Sequence, residues 1–501
     1  MLRINLLLLA LYAGHLLAQT PSRGFALHRS FDVGKNERID RLSPNCAGKP
    51  VLYSSEAGKL FIRPLNPLSG IPEKLLSIRS NNEKKVEQYE QSGDTIITLV
   101  RSLVLTGPDY YELVVFSITG DTLRQLKRIR LELSNPTTVK VFNKAWFSIS
   151  PNGRQAQVLR KLSYSQGKDA RFHLEVIDIV SETHRMEILP LPYDADDCEL
   201  LGATVDNFGN TYFMTKVGVK LNSPFIRKFL VYAFDHANRR LHEYDPQMNK
   251  IFIQETLIKT TATGIHVVGL YATDPFAEAK STGYIAFGID SVGGSIVYKS
   301  VNAFDQAMIS VHNTEDNSDA PQTISDLYIN KIVDCDGRII SLMEKRFREQ
   351  ICTTDPRTGI ITCTDLFHFN GISMVDVMAP SLTMTIGRRQ TAYNRITSGF
   401  GYTSLKSGGS LIILYNDNPR NTTSAAERMM DNLSRSKVRY MSYRCKSNAI
   451  VIDEVNPMEQ SGYWLHINTG AYTNDNRIFA LFTNGREYRL GIMLIDETRS
   501  W

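Results

Sequence analysis

The feature that most constrains this chain is a hairpin pattern with a side-chain period of two, repeated along its length. The segments "YELVVFSITGDTLRQLKRIRL", "FHLEVIDIVSETHRMEILPL" and "FLVYAFDHANRRLHEYD" each run as an apolar strand, turn through a short polar stretch, and resume as a more polar strand. This pattern is typical of antiparallel strand pairs, with the more polar strand nearer a sheet edge. The chain is therefore predicted to be all-β.

A second kind of turn separates these hairpins. In "SPNGRQAQVL", "VDNFGNTYFM" and "VDCDGRIISLMEKR", Asp or Asn stands one or two places before Gly153, Gly209 or Gly337. Because short polar side chains bond the local backbone and glycine accepts a positive φ, these turns are predicted to be architectural. Their intervals indicate a repeat of about 60 residues. Looser members are found near Gly58, Gly409 and Gly470.

Units of this size cannot cover both of their sheet faces alone, so they must stack on neighbours. Closing the stack into a ring predicts a β-propeller of about seven blades, with six or eight also allowed, each a four-stranded antiparallel sheet. Two β-sandwich domains, or a propeller followed by a small β domain after about residue 385, are the alternatives. Helical patterning is confined to short pieces, of which 423–436 is predicted to be a small helical insertion.

The first residues, "MLRINLLLLALYAGHLLAQT", place Arg3 before an apolar run from Leu6 to Leu17 and then the small Ala18. This order is typical of a secretory signal, here 1–18, with cleavage predicted after Ala18. The propeller domain is then 19–501, in a secreted or periplasmic protein. No later stretch reaches the roughly 18 consecutive apolar residues of a spanning helix, so no membrane span is expected after signal removal.

Composition narrows the partners. Hydrophobic residues make up 42% of the chain and charged residues 22%, which are ordinary globular values. The 57 cations and 52 anions leave a net charge of only +5. Since nucleic-acid binding needs a coherent basic stripe, it is not expected of this exported chain.

One disulfide can be predicted from hairpin geometry. In "CTTDPRTGIITC", the segment from Asp355 to Ile360 is predicted to be a four-residue hairpin loop. That register places Cys352 opposite Cys363, within disulfide range, although two buried thiols are the alternative. The other four cysteines have no spacing that assigns a partner: Cys46, Cys198, Cys335 and Cys445.

The usual catalytic and metal motifs are absent from the sequence, which has no His-x-x-x-His, Cys-x-x-Cys or Gly-x-Ser-x-Gly. The acidic turn "YDADDCE" is not completed by the glycine and the bidentate glutamate of a twelve-residue calcium loop. No metal or other cofactor is therefore expected. Carboxylates from distant blades, such as Asp206 and Asp334, could still meet at a propeller channel as acid and base. Whether the chain is an enzyme stays open at this point, with a non-enzymatic role favoured.

Arginines near an aromatic residue supply the candidate ligand site. Guanidinium groups bond carboxylates bidentately and stack on rings, so such a set is able to bind a carboxylate or a sugar face. The candidate residues are Arg388, Arg389, Tyr393, Asn416, Asp417 and Asn418. A structural role, in which the arginines bond blade carbonyls, is the favoured alternative for this set. The basic runs at 127–130 and 345–348 are interpreted as solvated strand faces.

Two segments resemble known proteins. "DNFGNTYF" is similar to the Asp-x-x-Gly-Asn-x-Tyr signature of several bacterial propeller repeats. "IGRRQTAYNRITSGFGYTSLKSGGSLIILYNDNPRN" resembles a segment shared by secreted bacterial proteins of unassigned function, in which a basic-Gln pair precedes a strand ending in Asn-Asp. The resemblance implies an exported, propeller-like protein and no particular reaction.

The sequence thus predicts a secreted, non-enzymatic propeller that binds a protein, a peptide or a glycan of the cell envelope. An envelope glycan-active hydrolase or lyase with a carboxylate pair at the channel is the first alternative, and a structural subunit of an envelope assembly is the second. Close, buried carboxylates at one mouth would favour the enzyme, whereas an aromatic or polar face would favour binding.

Overall fold

The computed structural model of the chain is almost entirely β, with eight four-stranded units in sequence order. It describes residues 24–495 except 79–83, 103–109, 120–121, 132–144, 163–168, 219–227, 247–250, 275, 278, 291–294, 314–321, 380–382, 395–397, 422–428 and 458–461. The predicted signal peptide, 1–18, lies outside the described residues.

The described chain opens with β1 (Gly24–Phe31), and the four-stranded units that follow are called blades 1 to 8. Blade 1 comprises β2 (Arg38–Pro44), β3 (Pro50–Glu56), β4 (Lys59–Pro64) and β5 (Leu76–Ile78), and blade 2 comprises β6 (Lys84–Ser92), β7 (Thr95–Ser102), β8 (Tyr110–Thr119) and β9 (Thr122–Leu131). Blade 3 comprises β10 (Trp146–Ile149), β11 (Gln155–Leu162), β12 (Asp169–Asp178) and β13 (His184–Asp194), and blade 4 comprises β14 (Cys198–Val205), β15 (Thr211–Val217), β16 (Lys228–Asp235) and β17 (Arg240–Tyr244).

Blade 5 comprises β18 (Phe252–Thr261), β19 (Gly264–Ala272), β21 (Gly283–Ile289) and β22 (Ile296–Ala303), and blade 6 comprises β24 (Leu327–Cys335), β25 (Arg338–Thr354), β26 (Ile361–Asp376) and β27 (Thr383–Tyr393). Blade 7 comprises β28 (Tyr402–Ser407), β29 (Ser410–Asp417), β30 (Lys437–Arg444) and β31 (Ala449–Pro457), and blade 8 comprises β33 (Ala471–Asn474), β34 (Arg477–Thr483), β35 (Tyr488–Leu494) and β1. Three short strands add to these: β20 (Lys280–Ser281) pairs with β23 (Ile324–Ser325), and β32 (Trp464–Leu465) pairs with β34.

Helical elements are few among the described residues. The helix α1 (Gln306–His312) begins after Asp305, whose side chain accepts a hydrogen bond from the amide of Met308 at 2.7 Å and so satisfies a free backbone donor. Three single 3-10 turns cover Ala195–Asp197, Leu433–Arg435 and Ile467–Thr469. Neither these turns nor α1 is long and apolar enough to cross a membrane, and the described residues contain no helix that is.

The first described strand completes the last blade. β1 pairs antiparallel with β35, where Ala26 lies opposite Ile492, and its first residues pair in parallel with the end of β31. The outermost strand of blade 8 therefore comes from the opposite end of the described chain from the other three. Because the two ends share one sheet, the ring cannot open without breaking this backbone pairing.

The core is divided into packing layers between successive blades. Eight apolar clusters each combine side chains of two neighbouring blades, from blades 1 and 2 round to blades 7 and 8 and back to blade 1. The closing cluster packs Leu42 and Leu52 of blade 1 against Phe479 and Leu490 of blade 8. An unbroken circle of such layers is what defines a β-propeller, and the chain is one.

Burial along a blade follows from this stacking. The second strand of blade 5, β19, has nine buried residues in succession, because neighbouring blades cover both of its faces. The outermost strand of the same blade, β22, has no fully buried residue and alternates between exposed and half-buried side chains. The first strands of successive blades contact one another, as β10 does β14 and β14 does β18, and so they surround the central axis.

The two ends of the ring are built differently. We call the end that carries the connections between first and second strands the turn face, and the opposite end the loop face. On the turn face Gly153, with φ of +71°, lies so close to blade 2 that a Cβ atom would come within 1.9 Å of the Ser92 hydroxyl oxygen. Gly48, with φ of +73°, lies equally close to Asn474, so these turns interlock from blade to blade.

The blade number, eight, is at the upper end of the predicted range. The three hairpins quoted first in the sequence are the third and fourth strands of blades 2, 3 and 4, and their more polar strands are outermost. Gly153, Gly209, Gly337 and Gly409 all lie in turn-face connections, whereas Gly58 lies on the loop face, between β3 and β4. Unequal blade lengths, which come from unequal loop-face connections, explain why a single period undercounted the blades.

Only 429–436 of the predicted insertion helix belong to the described residues, since 422–428 lie outside them. In the remainder, Met430 pairs its backbone with β27, donating to the Arg389 carbonyl and accepting from the Thr391 amide. The segment then forms the 3-10 turn Leu433–Arg435. These strand-edge hydrogen bonds hold Met430 in an extended conformation, so the described part of 423–436 is not an α-helix.

Two disulfides join described residues. Cys352 lies directly opposite Cys363 in the β25–β26 hairpin, with 4.1 Å between Cα atoms, and the two are bonded. Cys335 and Cys445, for which no partner could be assigned, form a second bond between blades 6 and 7 at the turn face. Cys46 is free and exposed, and Cys198 is free and buried.

Candidate functional site

The most distinctive feature of the loop face is the hairpin of blade 6. β25 pairs with β24 only as far as Lys345, and β26 pairs with β27 only as far as Leu366. Beyond these points 346–354 and 361–365 continue as a two-stranded extension, which we call the ribbon and which the Cys352–Cys363 bond fastens. Most of its side chains are exposed.

One edge of the ribbon offers unused backbone groups. The Arg346 amide donates to the Asp326 carbonyl at 2.8 Å, and this is the last backbone hydrogen bond on that side of β25 among the described residues. From Phe347 onward the edge is open. An open strand edge next to a groove can accept a further strand from a partner.

A groove of about 600 Å³ lies at the foot of the ribbon. Blade 6 supplies most of its wall, and the segments leading into the first strands of blades 7 and 8 complete it. Six aromatic side chains line it: Tyr328, Phe347, Phe367, Phe369, Phe400 and Tyr402. We call this cavity the aromatic groove.

Cations lie over the rings of the groove. The guanidinium carbon of Arg346 is 6.0 Å from the centre of the Phe369 ring, and that of Arg348 is 5.8 Å from Phe367. Arg348 also bonds both carboxylate oxygens of Asp365 at 2.8 Å. These contacts hold long side chains flat against the wall, so less conformational entropy is lost when a ligand binds there.

A buried ion cluster supports the floor of the groove. Glu344, fully buried, bonds Arg388 and Arg346 and accepts from Asn330 at 3.2 Å. Burial opposes ionisation of Glu344, but the two guanidinium groups outweigh it and keep its pKa below the usual value. Asn330 also donates to the Tyr402 hydroxyl at 3.1 Å, which joins the cluster to the groove wall.

Two carboxyl groups near the groove have raised pKa values. Asp326, on the groove wall, has its pKa raised by burial. Glu255 of blade 5, which accepts from the Ile329 amide at 3.3 Å, has its pKa raised by burial to about 7. Burial raises the pKa of Tyr328, and both carboxyl groups raise it further, so both lie near that side chain.

A second cavity of about 970 Å³ adjoins the aromatic groove, and the two share Phe400. Its lining includes Tyr393, Asn418, Arg420 and Trp464. Asn418 donates to the Met429 carbonyl at 2.9 Å, and the Tyr393 ring is half exposed. The loop face of blades 6, 7 and 8 is therefore a continuous indented surface.

The candidate residues taken from the sequence are divided by the structure. Tyr393 and Asn418 line the second cavity, whereas Arg388, Asn416 and Asp417 are buried. Arg388 bonds Glu344, and its guanidinium carbon lies 5.8 Å from the centre of the Tyr402 ring and 6.0 Å from that of Tyr415. Arg389 is half-buried in β27.

The buried members connect blades. Asn416 donates to the carbonyls of Gly399 and Leu465 at 2.8 and 2.9 Å, and its own carbonyl accepts from Gln390 at 2.5 Å. Asp417 bonds Arg439 at 3.2 Å. These residues of the segment 386–421 thus form polar connections between blades 6, 7 and 8.

Asp206 and Asp334, the carboxylates suggested as an acid–base pair at the channel, lie in different places. Asp206 is buried within its own turn, accepting from the amides of Phe208 and Asn210 at 2.9 and 2.8 Å. Asp334 lines a different cavity, at the turn-face mouth of the channel, to which Asp206 does not contribute among the described residues. No group of three His, Cys, Asp or Glu residues in the described chain could hold a metal ion.

Sequence reasoning missed the aromatic groove because its residues come from three blades. The run "KRFR" at 345–348 is predicted to be a solvated strand face, and Arg346 and Arg348 are exposed, but together with Phe347 they also line the groove. The "FHF" run at 367–369, directly across the same hairpin, carried the matching signal. A hairpin longer than those of the other blades, with Arg346 and Arg348 opposite Phe369 and Phe367, is the pattern that could have found the site.

Comparison with known proteins adds fold similarity and little else. No family model matches the chain, and no curated protein matches it. Solved structures similar to it include the β-propeller domain of the Trilobed protease from Pyrococcus furiosus, with 11% identity, a TM-score of 0.37, and 84% of this chain and 100% of that one covered. The WD40 domain of SCAP from fission yeast has 9% identity, a TM-score of 0.35, and 94% and 98% coverage.

An acylaminoacyl peptidase is also similar, at 10% identity and a TM-score of 0.36, over 82% of this chain and 51% of that one. At these identities the likeness concerns the fold alone. The propeller assignment rests on this chain's own sheet order and closed circle of core clusters.

Proposed function

We propose that this chain is an exported, non-enzymatic binding protein of the cell envelope that holds an extended segment of a protein partner in the aromatic groove. The observation that carries the proposal is the groove itself, where six aromatic rings and two ring-stacked arginines lie beside an open strand edge. Aromatic and arginine side chains dominate the energetics of protein interfaces.

The open edge favours a peptide over a glycan as ligand. A peptide strand laid along 347–354 would take up the unused amide and carbonyl groups, and its alternate side chains would enter the groove. Arg346 and Arg348 would then favour acidic side chains in the segment. Tyr393 and Asn418 extend the same surface into the second cavity and would contact residues further along the partner.

The test compares loop-face and turn-face variants in a pull-down from envelope extract. Phe367→Ala and Arg348→Glu are expected to reduce recovery of the partner at least tenfold, because they remove a groove wall and reverse its charge. Phe208→Ala is the matched control, since Phe208 is an exposed phenylalanine, at 70%, on a turn-face connection. Equal recovery with all three variants would refute a groove-based interaction.

A glycan-active enzyme is the second candidate, and one observation favours it. Asp326 and Glu255 both lie near Tyr328 and have raised pKa values, as a general acid requires. Turnover of an envelope polysaccharide that falls at least a hundredfold in Glu255→Gln and Asp326→Asn, with partner binding unchanged, would establish this activity. Absence of turnover in the unaltered chain leaves binding as the function of the groove.

A further inference from the structure

The turn-face mouth of the central channel contains a cavity whose chemistry is unlike that of the groove. Its volume is about 440 Å³, and its lining comes from blades 3, 5, 6 and 7. Lys259 of β18, Lys331 of β24 and Lys406 of β28 all reach it, together with Asp334. The mouth therefore brings three lysine side chains to one open cavity.

Two of these lysines have no carboxylate to pair with. Among the described residues, neither Lys259 nor Lys331 has a carboxylate oxygen within 4 Å of its Nζ atom. Lys331 donates only to Ser404, reaching its carbonyl oxygen at 3.0 Å and its hydroxyl at 3.4 Å. Lys259 makes no hydrogen bond to any described residue.

The nearby carboxylates are already engaged. Glu90 bonds Arg41 at 3.1 Å, and Asp336 bonds Lys406 at 3.2 Å. Asp334 accepts from the Gly337 amide at 3.0 Å. Glu90 and Asp334 attract Lys259 only through space, and so the positive charge of Lys259 and Lys331 is not neutralised by contact.

Partial burial makes the positive charge of Lys259 and Lys331 energetically unfavourable. Both lysine side chains are accessible to water, yet partial burial lowers both pKa values. For Lys331 burial is the main cause, Lys259 and Arg41 add like-charge repulsion, and the pKa falls to about 8. Exposure and desolvation coexist because each side chain reaches the open cavity while protein surrounds much of it.

We propose that this mouth binds a small anion with two negative charges, of the phosphate-monoester or dicarboxylate class, between Lys259 and Lys331. Two unpaired ammonium groups match a dianion, and a lysine ammonium binds such oxygens as a point charge without a fixed geometry. The cavity has room for a compact organic anion beyond the charged group. This site is separate from the aromatic groove and does not depend on the proposed partner.

The test is isothermal titration calorimetry of the purified chain with inorganic phosphate and with succinate, at pH 7 and constant ionic strength. Acetate serves as the singly charged control. We expect at least one dianion to bind at a single site, and acetate to bind at least tenfold more weakly. Preference for phosphate over succinate would identify the phosphate class, and the reverse would identify the dicarboxylate class. Dianion affinity no higher than that of acetate would overturn the proposal.

Variants locate the site. Lys331→Met and Lys259→Met are each expected to weaken dianion binding at least tenfold, since each removes one of the two unpaired charges. Lys446→Met is the matched control and should change affinity less than threefold, because Lys446 is exposed in the turn between β30 and β31 and does not line the cavity. Unchanged affinity in Lys331→Met, or an equal loss in all three variants, would contradict the assignment.

Protonation gives a readout that needs no variant. A bound dianion raises the pKa of Lys331, so binding near pH 8 must be accompanied by proton uptake, and affinity must fall as the pH rises through 8. The charged groups that act on Lys331 are Lys259 and Arg41. Glu90 and Asp334 attract Lys259, and Asp334 and Lys406 line the same cavity. Binding heats that do not depend on buffer ionisation enthalpy at pH 8 would argue against a site at this lysine.

Discussion

The turn face and the loop face of this propeller have different structures: the first holds the blades together, and the second forms cavities. On the turn face, connections are short, glycines allow neighbouring turns to touch, and the Asn152 amide of blade 3 donates to the Asn207 side chain of blade 4 at 3.0 Å. On the loop face, connections differ greatly in length, and blades 6 to 8 form the ribbon and two adjoining cavities. The difference shows where the sequence is constrained by ring geometry and where it is available for binding.

Each face also has its own disulfide. The Cys335–Cys445 bond joins blades 6 and 7 at the turn face across 110 positions of sequence. The Cys352–Cys363 bond closes only 11 positions and fastens a ribbon that lies outside the ring. One bond therefore constrains the ring, and the other constrains the candidate site.

The largest expected effect comes from removing the turn-face disulfide. Cys335→Ala with Cys445→Ala should lower the free energy of unfolding by about 4 to 5 kcal/mol, because the bond closes a long loop in the unfolded chain. Urea unfolding measures this, and partner recovery should not change. Cys352→Ala with Cys363→Ala should cost about 3 kcal/mol or less and should weaken binding. A reversed pattern would remove the distinction between the faces.

Next in size is the effect of a methyl group at a turn-face glycine. Gly153→Ala combines a left-handed backbone with a Cβ atom 1.9 Å from the Ser92 hydroxyl oxygen, and should cost about 3 kcal/mol. Gly359→Ala at the ribbon tip has a similar φ of +67° but no atom within 4 Å, so it should cost about 1 kcal/mol. Equal losses in denaturant unfolding would mean that the turns do not interlock.

Acid should destabilise both faces through buried histidines. Burial lowers the pKa of His236, on the turn face, and of His466, on the loop face, to about 4. Because the unfolded chain then binds more protons below pH 6.5, the free energy of unfolding should fall as the pH drops from 6.5 to 4, by about 2 kcal/mol per histidine. His236→Gln and His466→Gln should each make that decline shallower. A variant with an unaltered pH profile would indicate a hydrated histidine on that face.

The smallest expected effect on stability is at the groove. Phe367→Ala and Arg348→Glu change half-buried or exposed side chains of the ribbon base, so unfolding should shift by only about 1 kcal/mol. Thermal unfolding of each variant beside the unaltered chain measures the shift. A loss comparable with that of Gly153→Ala would show that the groove residues belong to the ring's framework.

The turn face could be predicted from sequence because its rules are local. Asp or Asn followed by glycine fixes a tight turn from a few neighbouring residues, and Gly153, Gly209 and Gly337 all lie where that pattern placed them. Alternating strands then fixed the all-β class and the propeller. The hairpin register that placed Cys352 opposite Cys363 is local in the same sense.

The loop face could not be predicted in this way because its contacts are distant in sequence. The groove joins Tyr328, Phe367 and Phe400, and only the closed ring brings them together. Arg388 presents a different difficulty. Its place among arginines and a tyrosine in the sequence is compatible with ligand binding, whereas in the structure it is buried and paired with Glu344, where it supports the groove. The pairing of Cys335 with Cys445 likewise requires knowing that blades 6 and 7 are neighbours.

Site-specific photo-crosslinking tests the separation of the two faces most directly. Benzoylphenylalanine would replace Tyr328, an exposed aromatic residue of the groove, or Phe208, an exposed aromatic residue of the turn face. Irradiation of cells that export each variant should give one discrete protein adduct from position 328 and none from position 208. An adduct from position 208, with none from 328, would contradict the assignment of binding to the loop face.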